Sequence, residues 1–152
     1  MKIKLVQRMS YWGIALMAAA SSLTAHADRL QTLDEVRQHA DKVMSSIGKG
    51  EVQQGFDIII PYLIGDSGPW KGGSLQLNDA IQKWIKQDGA LRGNEFVRTD
   101  TVGTSLVRHV YLIKGPVTYV GWQIDYYKVA DGWGVANFNM GDKVDLFGDR
   151  KR

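Results

Sequence analysis

The chain contains no cysteine. That excludes disulfides, thiol nucleophiles and cysteine-ligated metal centres. Acid is absent from the first 27 residues, although the whole chain holds 16 Asp and Glu. That stretch carries Lys2, Lys4 and Arg8, then an apolar run from Tyr11 to Ala20. Ser21, Ser22, Leu23 and Thr24 follow, and then the small-residue pattern Ala25-His26-Ala27. A basic start, a short apolar middle and an A-x-A site read as an export signal cleaved between Ala27 and Asp28. The competing reading is an uncleaved anchor. However, the run falls short of the roughly 20 apolar residues a spanning helix needs, and Ser21, Ser22 and Thr24 interrupt its extension. The expected address is the periplasm or the medium, with no stable membrane insertion after cleavage.

Excess charge of one sign is missing once that segment is set aside. The segment holds three of the 19 Lys and Arg residues, which leaves 16 bases against 16 acids. A balanced domain has no electrostatic footprint for nucleic acid or an anionic membrane, so neither is an expected partner. Arg150-Lys151-Arg152 reads as a solvated tail. Gly72-Gly73-Ser74 lacks the lysine and preceding strand of a phosphate loop. Asp142, Asp145 and Asp149 are spaced by three and four without an EF-hand around them. No metal and no cofactor is expected. The roughly 125 residues after Ala27 are enough for one self-sufficient domain, taken as 28–152.

What is present is periodic. Leu30, Leu33, Val36, Ala40, Val43, Met44 and Ile47 recur in steps of three and four, which predicts a helix over 30–47. Thr32 with Glu35 has the form of a capping box. A second helix is expected over 51–63, limited by Pro61. Gly-Pro and Gly-Gly punctuation marks 65–73 as a loop, with Trp70 inside it as a core plug or a pocket rim. A third helix is expected over 75–87. Beyond Gly93 the residues turn to Val, Ile, Thr, Tyr and Trp, and short turns separate four strands. Strands joined by short turns run antiparallel. The predicted class is α+β, with three N-terminal helices packed on a curved four-stranded antiparallel meander.

The third strand alternates. Val120, Trp122, Ile124 and Tyr126 share one face, expected to be the inner one. A three-residue hairpin at Ala130-Asp131-Gly132 sets Ala136, Phe138 and Met140 beside Tyr126, Ile124 and Trp122. A two-residue loop would turn Asn137 and Asn139 inward, so the first register is preferred. If Gly115-Pro116 is a two-residue loop, Val107, His109, Tyr111 and Ile113 face inward. A three-residue loop sends Leu106, Arg108, Val110 and Leu112 there instead, and burying Arg108 unpaired is costly. Either way the second strand is apolar on both faces, which suggests that a second subunit covers the outer one, giving a homodimer.

The helix–helix–helix–meander order resembles the nuclear-transport-factor-2-like superfamily. So do Gly50-Glu51-Val52-Gln53-Gln54-Gly55-Phe56 with Pro61, and Trp122-Gln123-Ile124-Asp125-Tyr126-Tyr127-Lys128 with Asp131-Gly132-Trp133 and Phe138. The likeness runs from about Leu30 to Phe147. It implies a cone whose sheet wraps the helices around a cavity, and pairing through the outer sheet face. It implies no activity, because members range from isomerases and dehydratases to binding and assembly domains.

Two histidines remain after Ala27. His39 reads as surface. His109 is expected on the inner face near Trp122, either as a hydrogen-bonded core residue or as an acid–base group. Arg108, Gln123 and Asp125 fall on the outer face as a polar patch or ion pair. Three functions follow as expectations. The first is a non-catalytic exported domain binding a small apolar ligand or a protein partner at His109, Tyr111, Trp122 and Tyr126. The second is a small cofactor-free enzyme, isomerase- or dehydratase-like, with His109 as acid–base group. The third is an accessory component of an envelope or secretion assembly.

Overall fold

Thr32 starts the first helix. Its Oγ1 accepts the Glu35 backbone N–H at 3.1 Å, and Glu35 Oε2 accepts the Thr32 N–H at 3.3 Å, completing the capping box. A computed structural model describes residues 28–141 and 144–147. The expected export signal, Asp142, Asp149 and the basic tail lie outside them. Helix α1 is Leu33–Gly48, α2 is Val52–Ile59 and α3 is Gly68–Asp88; a 3₁₀ turn, Ile60–Tyr62, follows α2. Four strands follow: β1 Asn94–Val102, β2 Leu106–Lys114, β3 Tyr119–Val129 and β4 Gly132–Met140. They form one antiparallel sheet in the order β1-β2-β3-β4. The α+β arrangement is therefore as expected. No helix among the described residues is long and apolar enough to cross a membrane.

Three helix boundaries differ from the periodicity, the first being the end of α2, which stops at Ile59 and gives way to the 3₁₀ turn over Pro61. Leu30 is not helical. It exchanges backbone hydrogen bonds with Trp133, so the chain enters α1 along the sheet edge. Gly68–Gly73 is helix rather than loop. Pro69 suits a first turn, where its missing N–H would lack a partner anyway, and Asp66 Oδ1 accepts the Gly68 N–H at 2.8 Å. The Gly-Pro pair here starts a helix instead of breaking one.

The sheet faces are as the alternation indicates except at Ala136, which is exposed while Val135 is buried, and two registers differ. β2 and β3 are joined by four residues, Gly115–Thr118, closed by Gly115 N–H to Thr118 O at 2.8 Å. Four residues rather than two keep every side chain on its expected face while sliding the pairing by two. His109 therefore faces Ile124, and Tyr111 faces Trp122. The β3–β4 hairpin has a two-residue loop, Ala130-Asp131, with Gly132 at φ +137°. Asn137 and Asn139 still face outward, because a bulge between Asp125 and Tyr126 leaves Ala136 unpaired and corrects the phase. Phe138 then sits opposite Ile124 and Met140 opposite Trp122 as expected, while Tyr126 meets Val135 instead of Ala136.

The core lies between the helices and the inner sheet face. Val36, Val43, Met44 and Ile47 of α1 pack with Val52, Phe56 and Ile59 of α2 against Tyr111, Trp122, Ile124 and Tyr126. On the outer face, the chain itself supplies part of the cover expected from a second subunit. Val144 is buried, and a Cβ added at Gly121 would lie 3.0 Å from that of Val144 and 3.1 Å from Leu146 Cδ2.

Candidate functional site

The residues expected to bind ligand are in the packed core. Tyr111, Trp122 and Tyr126 are fully buried, and His109 is 4% exposed. None of the four lines any of the three cavities described below. Tyr111 and Tyr126 tie the sheet to α1 through Asp41 and His39, while the Trp122 indole N–H is buried with no hydrogen-bond partner among the described residues. Tyr111 donates its hydroxyl to Asp41 Oδ1 at 2.7 Å, and Arg37 Nε donates to both oxygens of the same carboxylate at 3.0 Å. The Arg37 guanidinium lies 3.3 Å above the Phe96 ring. Burial and the Asp41 carboxylate push the Tyr111 phenol up, and burial does the same to Tyr126.

His109 Nδ1 shares a hydrogen bond with Thr99 Oγ1 at 2.8 Å. Its Nε2 is buried and has no hydrogen-bond partner among the described residues. The ring lies beside Phe96 and Tyr126, with centroids 6.1 and 5.9 Å away. Burial lowers its pKa to about 4; Arg37 adds to the fall and Asp41 opposes it. Such a ring is neutral at pH 7 and holds a fixed place in the core.

His39 is a correction. It is buried, not on the surface. Its Nε2 lies 3.0 Å from the Ile58 carbonyl and its Nδ1 2.8 Å from the Tyr126 hydroxyl. A carbonyl only accepts, so Nε2 carries the proton and Tyr126 donates to Nδ1. Burial lowers its pKa, and Lys42 adds to this against the Ile58 carbonyl. The signal for it was faint: His39 falls on the buried side of α1 between Val36 and Val43, while Leu33 is exposed.

Outside the core, Asp125 is a buried carboxylate on the outer sheet face. Arg108 grips it with Nε at 2.8 Å and Nη2 at 3.0 Å, and Gln123 Nε2 donates to it at 3.0 Å. This is the expected outer-face ion pair. The Asp125 hydrogen bond raises the Arg108 pKa.

Space for a ligand lies elsewhere. A cleft of about 550 Å³ opens between α3 and β4. Its walls are Phe56 of α2, Pro69, Trp70, Gly73, Gln76, Leu77 and Ala80 of α3, and Asn137, Phe138 and Met140 of β4. Phe138 is held edge-on by Phe56 and Trp122, with centroids 5.2 and 5.0 Å away. Trp70 is half-buried, packs against the core and lines the cleft, so it is both the core plug and a wall of the pocket. The sequence carries a trace of this wall. Trp70, Gly73, Leu77 and Ala80 are spaced by three and four along one helical stripe, visible only once 68–73 is recognised as helix. Two further cavities are a recess of about 410 Å³ around Arg29, Glu35 and Lys42, and a hollow of about 730 Å³ beneath Val144–Phe147. Among the described residues, no group of three or more His, Asp or Glu is placed to hold a metal.

No protein-family model matches the chain, and no curated protein matches it significantly. Among solved structures it is similar to the crystal structure of a DUF4783 family protein from Bacteroides ovatus. The identity is 9% and the TM-score 0.41, over 64% of this chain and 89% of that one.

Proposed function

We propose that the protein is an exported, non-catalytic binding domain of nuclear-transport-factor-2-like type. Its ligand occupies the cleft between α3 and β4. That ligand is a small apolar molecule or an apolar stretch of a protein partner, and the second case makes the domain an accessory component of an envelope assembly. The observation that carries this reading is the lining: aromatic rings, Leu77 and Met140, with Gln76 and Asn137 as neutral polar groups. Sites for small molecules have this composition and size. The cleft has more support as the site than His109, Tyr111, Trp122 and Tyr126, which are buried and line none of the cavities described above. An acid–base role for His109 has less support, because a general base must reach the proton it takes and this ring is enclosed. Export rests on residues 1–27. Pairing with a second copy rests on the outer face around Val102 and Tyr127, which are 68% and 46% exposed.

Titration with the apolar fluorophore N-phenyl-1-naphthylamine tests the reading. Gly73 borders the cleft, and an added Cβ there meets nothing within 4 Å. The position can therefore accept a side chain, and Gly73→Leu is the variant expected to narrow the cleft. Saturable binding weakened at least about tenfold in Gly73→Leu, and retained in His109→Gln, is the expected pattern. Unchanged binding in a folded Gly73→Leu protein contradicts it.

A further inference from the structure

The cleft borders an unfinished sheet edge. β4 is the last strand, so one side of its backbone faces away from β3. The chain pairs the first half of that side itself. Leu30 N–H donates to Trp133 O at 3.0 Å, Trp133 N–H to Leu30 O at 2.8 Å, and Ile64 N–H to Val135 O at 2.9 Å. The pairing stops there. Among the described residues, no backbone hydrogen bond reaches the outer side of Ala136–Met140.

The cleft begins where the pairing ends. Phe138 and Met140 line it from the inner face of β4, and Asn137 from the outer. Residues of opposite faces line one cleft only where it runs along the edge of the strand. Trp70, Gly73 and Leu77 of α3 form the facing wall. The space is thus a slot with an open backbone edge on one side and an apolar helix stripe on the other. Open edges are usually blunted by lysine, proline or a covering element. Ala136, Asn137, Phe138, Asn139 and Met140 include neither lysine nor proline.

We infer that the cleft is a strand-addition site for an extended peptide segment of a partner protein. The segment hydrogen-bonds to Ala136–Met140 as a fifth strand, continuing the edge pairing that Leu30 and Ile64 begin. Alternate side chains enter the cleft, and main-chain hydrogen bonds supply much of the affinity. About five residues, or roughly 17 Å of strand, match the open edge. The inward side chains are uncharged, because the lining holds no charged residue and an unpaired buried charge is costly. This inference rests on the cleft being the binding site, and it names the class of partner.

The test uses the purified protein and a displayed library of random linear eight-residue peptides, with Gly73→Leu as counter-selection. Enriched peptides are resynthesised with and without N-methylation at alternate residues. The expected result is enrichment of alternating apolar sequences and an affinity loss of about tenfold or more on N-methylation of one alternate set. Slowed hydrogen exchange of amides within Ala136–Met140 should accompany binding. Peptides that tolerate both N-methylation sets, or bind without protecting these amides, overturn strand addition. If no peptide is enriched over Gly73→Leu while N-phenyl-1-naphthylamine still binds, strand addition falls and the small-ligand reading stands. If neither binds, both fall.

Discussion

Acid should loosen this protein through its buried histidines, and His109 sets the scale. In an unfolded chain an imidazole titrates near 6.5; in the fold, burial lowers His109 to about 4. As pH falls, the unfolded chain therefore takes the proton first. The stability associated with the neutral ring is complete above about pH 6.5, declines toward pH 4 and levels off below it. Each pH unit of separation is worth about 1.36 kcal/mol. His109 alone then accounts for a loss of about 1.4 kcal/mol at pH 5.5 and about 3 kcal/mol at pH 4. His39 is lowered in the same direction and adds to the loss. Urea unfolding followed by tryptophan fluorescence at these pH values and at neutrality measures it. His109→Gln keeps a hydrogen-bonding group for Thr99 and removes the titration, so its stability should depend on pH less steeply. A wild-type stability flat between pH 7 and 4 would refute the argument. So would a His109→Gln protein with the full wild-type slope.

Three further outcomes follow from packing. Gly73→Ala, at an open position inside α3, should stabilise by about 0.5–1 kcal/mol through helix propensity; destabilisation in thermal unfolding would contradict the helical assignment of 68–73. Trp122→Ala should cost about 3–5 kcal/mol in chemical denaturation, since the ring is fully buried, and a cost below about 1 kcal/mol would remove it from the core. Asp125→Asn should cost about 2–3 kcal/mol, less than a fully buried pair, because the Arg108 side chain is 40% exposed; an unchanged urea midpoint would show the pair to be neutral.

Much of the fold is legible because it depends on short-range chemistry. Thr32 and Glu35 cap α1 through atoms three residues apart, and alternation along β3 separates Trp122 and Ile124 from Gln123 and Asp125 on sterics alone. The features that escape depend on distant partners. Leu30 leaves its helical pattern because Trp133 offers it a strand edge. His39 is buried because Tyr126 and the Ile58 carbonyl satisfy both its nitrogens. The bulge at Ala136 lets a two-residue hairpin coexist with inward Phe138 and Met140, and no local signal distinguishes it from a three-residue loop. The cleft is the least legible feature. Its walls come from α2, α3 and β4, and its α3 wall lies partly in a glycine-rich stretch with the composition of a loop. Aromatic content along β2 and β3 points instead to His109, Tyr111, Trp122 and Tyr126, where the residues fill space rather than enclose it.

Ligand entering between α3 and β4 must lie against residues of both elements. Intermolecular nuclear Overhauser effects between bound N-phenyl-1-naphthylamine and the protein test it most directly. The expected contacts are to the Trp70 indole, the Leu77 methyls and the Met140 methyl. Contacts to Tyr111, Tyr126 and His109, with none to Trp70 or Met140, would contradict this placement.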